Sequence, residues 1–133
     1  MPQSAAFNVQ ILKPGGNAFI HTLAPSNIEN YYTKINNDLA LDPNALVFAM
    51  PNCSPPDRPR QCFNRSIGVL WTGTQWSIFH EDRSRMLEGE AFNVLILAPA
   101  DNAFVHTTTA LNIKSSWTNL GSGDNPNPFM IDS

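Results

Sequence analysis

Apolar and polar residues alternate along most of this chain, and the alternation has the period of a β-strand. In FNVQIL from Phe7 and FNVLIL from Phe92, the Phe, Val and Ile fall on one face, the pattern of a strand with one buried side. Each stretch is followed by KPGGN or APADN, whose Pro and Asn suit turn positions, and AFIHT or AFVHT then returns. The pattern predicts a hairpin in each place. NALVFAM, introduced by the turn residues Asp42, Pro43 and Asn44, predicts another strand. IGVLW, TGTQ and WSIFH predict a hairpin in which Trp71 faces Trp76, with Val69 and Ile78 continuing the same face. Only PSNIENYYTKI and ALNIKSSWTNL leave room for a helical turn, and their Asn, Ser and β-branched content argues against one. Short strands with turns at intervals of roughly 8 to 12 residues predict an all-β fold, a single-domain antiparallel β-sandwich or barrel.

The first of these stretches is written twice. Phe7 and Phe92 lie 85 residues apart, and the match then runs without a gap to Thr33 and Thr118. About half the positions are identical, including Val9/Val94, Ile11/Ile96, Asn17/Asn102, Phe19/Phe104, His21/His106, Asn27/Asn112 and Ile28/Ile113. After a two-residue deletion, NPNPFMI from Asn125 answers to DPNALVF from Asp42. The first copy runs on through IGVLWTGTQWSIFHEDRSRM, and the second has no counterpart to that part. The chain therefore reads A–B–A′. Copies at 7–48 and 92–131 flank a unique hairpin segment at 63–82, all within one domain, 1–133. The expectation is an internal pseudo-two-fold, each copy lending a matching hairpin and a buried His to a shared core.

In order, FNVLIL, NAFVHT, NI, WT and NPN, together with IGV-W and W-IF, resemble an uncharacterised domain family found as tandem modules in extracytoplasmic bacterial proteins and in some other microbes. The resemblance covers nearly the whole chain from Phe7 onward. It implies a type of module and no established activity. The chain departs from the pattern at CSPPDRPRQC, a longer proline-rich loop, and at His80-Glu81, where neutral amides are typical. Tandem modules that complete one another's strands leave edges that invite association, so a homo-oligomer, dimer or larger, is expected.

Composition narrows the partners. A chain of 133 residues with 42% apolar content, eight Phe and three Trp closes one core without help. Only 14% of residues are charged and the net charge is −3, so solubility rests on Asn, Ser and Thr. The eight Lys and Arg are scattered, and no nucleic-acid partner is expected. No stretch approaches the roughly 20 apolar residues of a membrane helix, and MPQSAAFNV lacks the regions of a signal peptide. Cys53 and Cys62 bound the proline-rich loop, where a disulfide would pin a segment that cannot pin itself; the alternative is two unrelated thiols in a reducing compartment. Sequons at Asn52 and Asn64 flank the same loop. An extracellular or secreted location is expected.

Candidate chemistry is sparse. His21 and His106 share a face with Phe19 and Phe104, which predicts buried imidazoles bonded to a carbonyl or a neighbouring Asn. No ligand spacing supports a metal, and no cofactor is expected. Asn17 and Asn102, with the other repeated asparagines, offer amides that grip sugar hydroxyls or serve turns and caps. Trp71, Trp76 and Trp117, with Tyr31 and Tyr32, offer flat apolar faces for pyranose rings or for the core. Glu81, Asp82, Glu88 and Glu90, interleaved with Arg83 and Arg85, are expected to form a solvated connection. No catalytic motif is present. The leading expectation is a non-catalytic, lectin-like module that binds glycans through Trp71, Trp76, Asn17, Asn102, His21, His106 and Trp117. The alternative is a structural, self-assembling β module with no small ligand.

Overall fold

The computed structural model describes residues 1–100 and 102–120. The strands are β1 (Ala18–Thr22), β2 (Ile28–Glu29), β3 (Tyr32–Lys34), β4 (Leu46–Pro51), β5 (Ile67–Trp71), β6 (Trp76–His80), β7 (Ala91–Leu97), β8 (Ile113–Lys114) and β9 (Trp117–Thr118). A 3-10 turn at Asp38–Leu41 is capped by the Asn37 side chain, which accepts from the Leu39 N–H. The fold is all-β. One sheet has the order β1-β7-β4, a second β2-β3-β6-β5, and β8 and β9 form a two-stranded ribbon; every pairing is antiparallel. The NPNPFMI stretch from Asn125 lies outside the described residues.

Register decides which side chains face inward. Phe19 and Val94 stand opposite one another, as do His21 and Phe92, Val47 and Ile96, and Ala49 and Val94. These line the inner face of the three-stranded sheet. In the four-stranded sheet Ile28, Thr33, Ile78 and Val69 stand in one row. Phe92, Val94 and Ile96 meet Ile78, Leu23, Ile35 and Met86 in the buried core between the sheets. Burying an aliphatic or aromatic side chain of this kind contributes about 1.5–3 kcal/mol, so β7 is the strand the core depends on most.

The two expected hairpins do not form. Residues 7–12 carry no strand, and β1 takes its neighbour from the second copy, β7. One slot exists between β1 and β4, and two nearly identical segments compete for it. The outward-facing position opposite Ala18 and Phe48 is filled by Leu95, where the first copy would place Gln10. In the structure the slot is taken by β7. The likeness of the copies survives in the turns. Gly15 donates to the Ala18 carbonyl at 2.8 Å, and Ala100 to the Ala103 carbonyl at 2.7 Å.

The β5–β6 hairpin forms as its alternation requires, with Trp71 opposite Trp76 across the Thr72–Gln75 turn. Gly73 holds φ at +99° there, a conformation that favours glycine. Gly68 is needed for a different reason. It lies opposite Phe79, and a Cβ at this position would stand 2.7 Å from Phe79 Cε1.

Candidate functional site

The most ordered polar arrangement joins the two main sheets. His21 on β1 lies 2.9 Å by Nε2 from Thr33 Oγ1 on β3. Thr33 Oγ1 in turn donates to Asn27, whose carbonyl and Oδ1 both lie at 3.1 Å. Because the single hydroxyl proton goes to Asn27, the imidazole must donate from Nε2, which fixes the neutral tautomer. Asn27 completes the turn by accepting from the Ala24 N–H at 3.0 Å and donating to the Thr22 carbonyl at 3.0 Å. All three side chains are buried, and burial lowers the His21 pKa to about 4 because desolvation disfavours the charged form.

The second copy repeats this arrangement. His106 Nε2 lies 2.9 Å from Thr118 Oγ1, which donates to the Asn112 carbonyl at 2.9 Å and to its Oδ1 at 3.1 Å. Asn112 donates to the Thr107 carbonyl at 3.0 Å and accepts from the Thr109 N–H at 2.7 Å. Even the left-handed turn residue recurs, Asn30 at φ 57° and Ser115 at φ 49°. The local fold of residues 103–120 thus matches that of the first copy, although residues 103–107 form no strand where β1 does. The signal was in the sequence, since Thr33 and Thr118 are among the identical positions. Periodicity does not reveal partners in opposite sheets.

A second cluster was missed by the sequence reading. Glu90, expected in a solvated connection, is 3% exposed. Its Oε2 lies 3.0 Å from His80 Nε2, and its Oε1 accepts from the Leu87 N–H at 2.7 Å. The Nδ1 of His80 lies 3.0 Å from the Ser84 carbonyl and 3.1 Å from Ser84 Oγ. A buried carboxylate needs such partners, and these tie the end of β6 to the start of β7. The rest of the connection is exposed at Glu81, Asp82 and Glu88. Hydrogen bonds from Ser84, together with the Arg65 guanidinium, hold the Asp82 carboxyl below the usual carboxylate range. Arg83 lies over the Tyr31 ring at 5.0 Å.

The remaining candidates fall in separate places. Trp71 and Trp76 meet edge to face at 5.8 Å and 63°. Trp76 also donates from Nε1 to the Asp42 carbonyl at 3.0 Å and packs on the core. Trp117 is exposed on β9, opposite Lys114. Asn17 uses its carbonyl to accept from the Ile96 N–H at 2.8 Å, and Asn102 is exposed beside the A′ turn. Cys53 and Cys62 form a disulfide with a Cα separation of 4.5 Å. Nearby, Asn52 donates from Nδ2 to Asn93 Oδ1 at 2.8 Å, which ties the loop to β7.

A groove lies against the three-stranded sheet, lined by Ile20, Phe48, Met50 and Leu95 together with Ile11 and Leu12, and it reaches Phe19, Val47 and Ala49 of the inner face. Among the described residues no group of three or more His, Cys, Asp or Glu stands together to hold a metal ion. No helix among them is long and apolar enough to cross a membrane.

Fold and site together define a small, disulfide-bonded β module built from antiparallel sheets, with one local turn written twice. The chain belongs to the family described as Domain of unknown function (DUF7452), which it matches over residues 1–96 and again over residues 78–128. The two matches overlap from Ile78, within β6, through most of β7. No curated protein and no solved structure matches the chain.

Proposed function

We propose that this chain is a non-catalytic structural module that works by joining other modules of its kind through sheet edges and faces. The observation that carries this reading is β7. The strand that opens the second copy completes the sheet of the first, so that successive copies are linked through a shared strand rather than side by side. Both family matches include all or nearly all of that strand. The outward face of the same sheet supports the reading, since Ile20, Phe48 and Met50 are 43%, 50% and 65% exposed there, and adjoining apolar residues of this kind mark interaction surfaces. The resemblance to tandem modules of extracytoplasmic proteins points the same way. A disulfide persists in an oxidising compartment, and we assign the module to an extracellular setting. Sedimentation over a wide concentration range tests the reading. Reversible, concentration-dependent association is expected, and a strict monomer at high concentration refutes it.

Glycan recognition is the second reading, and the Trp71–Trp76 pair favours it. The two rings adjoin Thr72, Thr74 and Gln75 in the hairpin turn, which sets aromatic faces beside polar groups suited to sugars. The amides of Asn27 and Asn112 and the Nε2 of His21 are committed to internal hydrogen bonds, which weighs against sugar binding at those groups. A glycan array run with the protein and a Trp71→Ala variant tests this second reading. Selective binding lost in the folded variant supports it, and a blank array removes it for the sugars displayed.

A further inference from the structure

We propose that residues 7–12 of one copy enter the sheet begun by residues 103–107 of a second copy, as β7 enters beside β1. The proposal rests on the module-joining reading above and names its partner, a second copy of this chain. The donor is built as a core strand yet is exposed. Phe7, Val9 and Ile11 are 67%, 78% and 92% exposed, whereas their counterparts Phe92, Val94 and Ile96 are 2%, 3% and 3% exposed. Five of the six residues at 7–12 are identical to those at 92–97. The sixth, Gln10 for Leu95, lies at an outward-facing position, where a polar residue is tolerated.

The acceptor is equally prepared. Residues 103–107 differ from β1 only at Val105, which replaces Ile20, also at an outward position. The hydrogen bond from His106 to Thr118 already sets the stretch against β9 as His21 sets β1 against β3. No named strand includes residues 103–107, and Val105 is 66% exposed. Donor and acceptor coexist in this chain without forming a ladder, although Ile11, Leu12, Asn102 and Ala103 line one groove. A second copy brings the same donor and acceptor segments. Strand addition at an open edge satisfies the backbone of both partners and buries the alternate side chains.

The register follows from the β1–β7 ladder carried over by 85 residues: Ala103 opposite Gln10, Val105 opposite Asn8 and His106 opposite Phe7 of the second copy. Each copy offers one donor and one acceptor, so the contact closes reciprocally in a dimer or runs head to tail.

Single-cysteine variants test this in trans. The two native cysteines are bonded to each other, so no free thiol competes. Asn8→Cys protein is mixed with Val105→Cys protein and oxidised, beside a mixture of Asn8→Cys with Phe104→Cys, whose added thiol faces the opposite side. The expected result is a cross-linked heterodimer several-fold more abundant in the first mixture, and its loss when Val9→Asp is added to the Asn8→Cys chain. Val9 is exposed in the single chain, so this variant keeps its dilute-solution melting temperature. Equal cross-linking in both mixtures overturns the proposal. So does a double variant, Asn8→Cys with Val105→Cys, that closes only within one chain. Association on sedimentation without register-specific cross-linking overturns strand entry alone and leaves the module-joining reading standing.

Discussion

His21 should make the stability of this fold depend on pH well above the carboxylate range. Its ring is neutral in the folded chain because burial lowers its pKa from 6.5 to about 4. In the unfolded chain the ring regains its ordinary value and binds a proton as pH falls below it. Between these two values the unfolded state carries more protons, so stability falls as pH falls through 6.5 and levels off below about 4. A tenfold loss of proton affinity on folding is worth about 1.4 kcal/mol, so the whole effect is about 3 kcal/mol, most of it lost by about pH 4.5. Against a total of roughly 5–15 kcal/mol for a small domain, that is a large share. Urea unfolding at closely spaced pH values, run on the protein and on His21→Gln, isolates the effect. Gln preserves a donor for Thr33 and cannot titrate, while His80 and His106 are common to both proteins. The difference between the two curves should follow the window from 6.5 to 4. Parallel curves across that window would refute the assignment of a neutral, buried His21.

Further expectations follow from packing. In dilute solution Phe92→Ala should cost about 3–5 kcal/mol, and Phe7→Ala less than about 0.5 kcal/mol; equal losses on chemical denaturation would mean that both copies of the strand share one core. Gly68→Ala should cost about 1–3 kcal/mol because its Cβ meets the Phe79 ring, and Gly68→Ala with Phe79→Leu should recover most of that loss in a thermal melt. Failure of the second change to help would place the strain elsewhere. Reducing the Cys53–Cys62 bond, which spans nine residues of sequence, should lower stability by about 2–3 kcal/mol through the freed unfolded chain. An unchanged denaturation midpoint under reductant would contradict this.

The β5–β6 hairpin was legible because everything that makes it is local: alternation at Val69, Trp71, Trp76 and Ile78, and a four-residue turn. The disulfide was legible because CSPPDRPRQC has no secondary structure to hold it. The repeat was visible too, yet reading it as two hairpins assumed that each FNV segment pairs with the AFIHT-like segment following it. Strand choice instead brings together distant segments, β1 of the first copy with β7 of the second, and the alternation at 7–12 and at 92–97 is the same apart from Gln10 in place of Leu95. His21 was expected to bond a carbonyl or an Asn; its partner is Thr33 on the facing sheet, an alignment that no one-dimensional period encodes. Glu90 was hidden by its company. An acidic, arginine-laced run reads as solvated, and only the apolar strand that begins at Ala91 hinted that its last carboxylate is drawn inward to His80.

The central claim is that the second copy's strand, not the first's, fills the sheet. Amide hydrogen exchange on a dilute sample tests it most directly. The expected result is strong protection at residues 92–97 and rapid exchange at residues 7–12, the latter becoming protected together with residues 103–107 as concentration rises. Equal protection of residues 7–12 and 92–97 in a dilute monomer would contradict it, because both copies would then be paired within one chain.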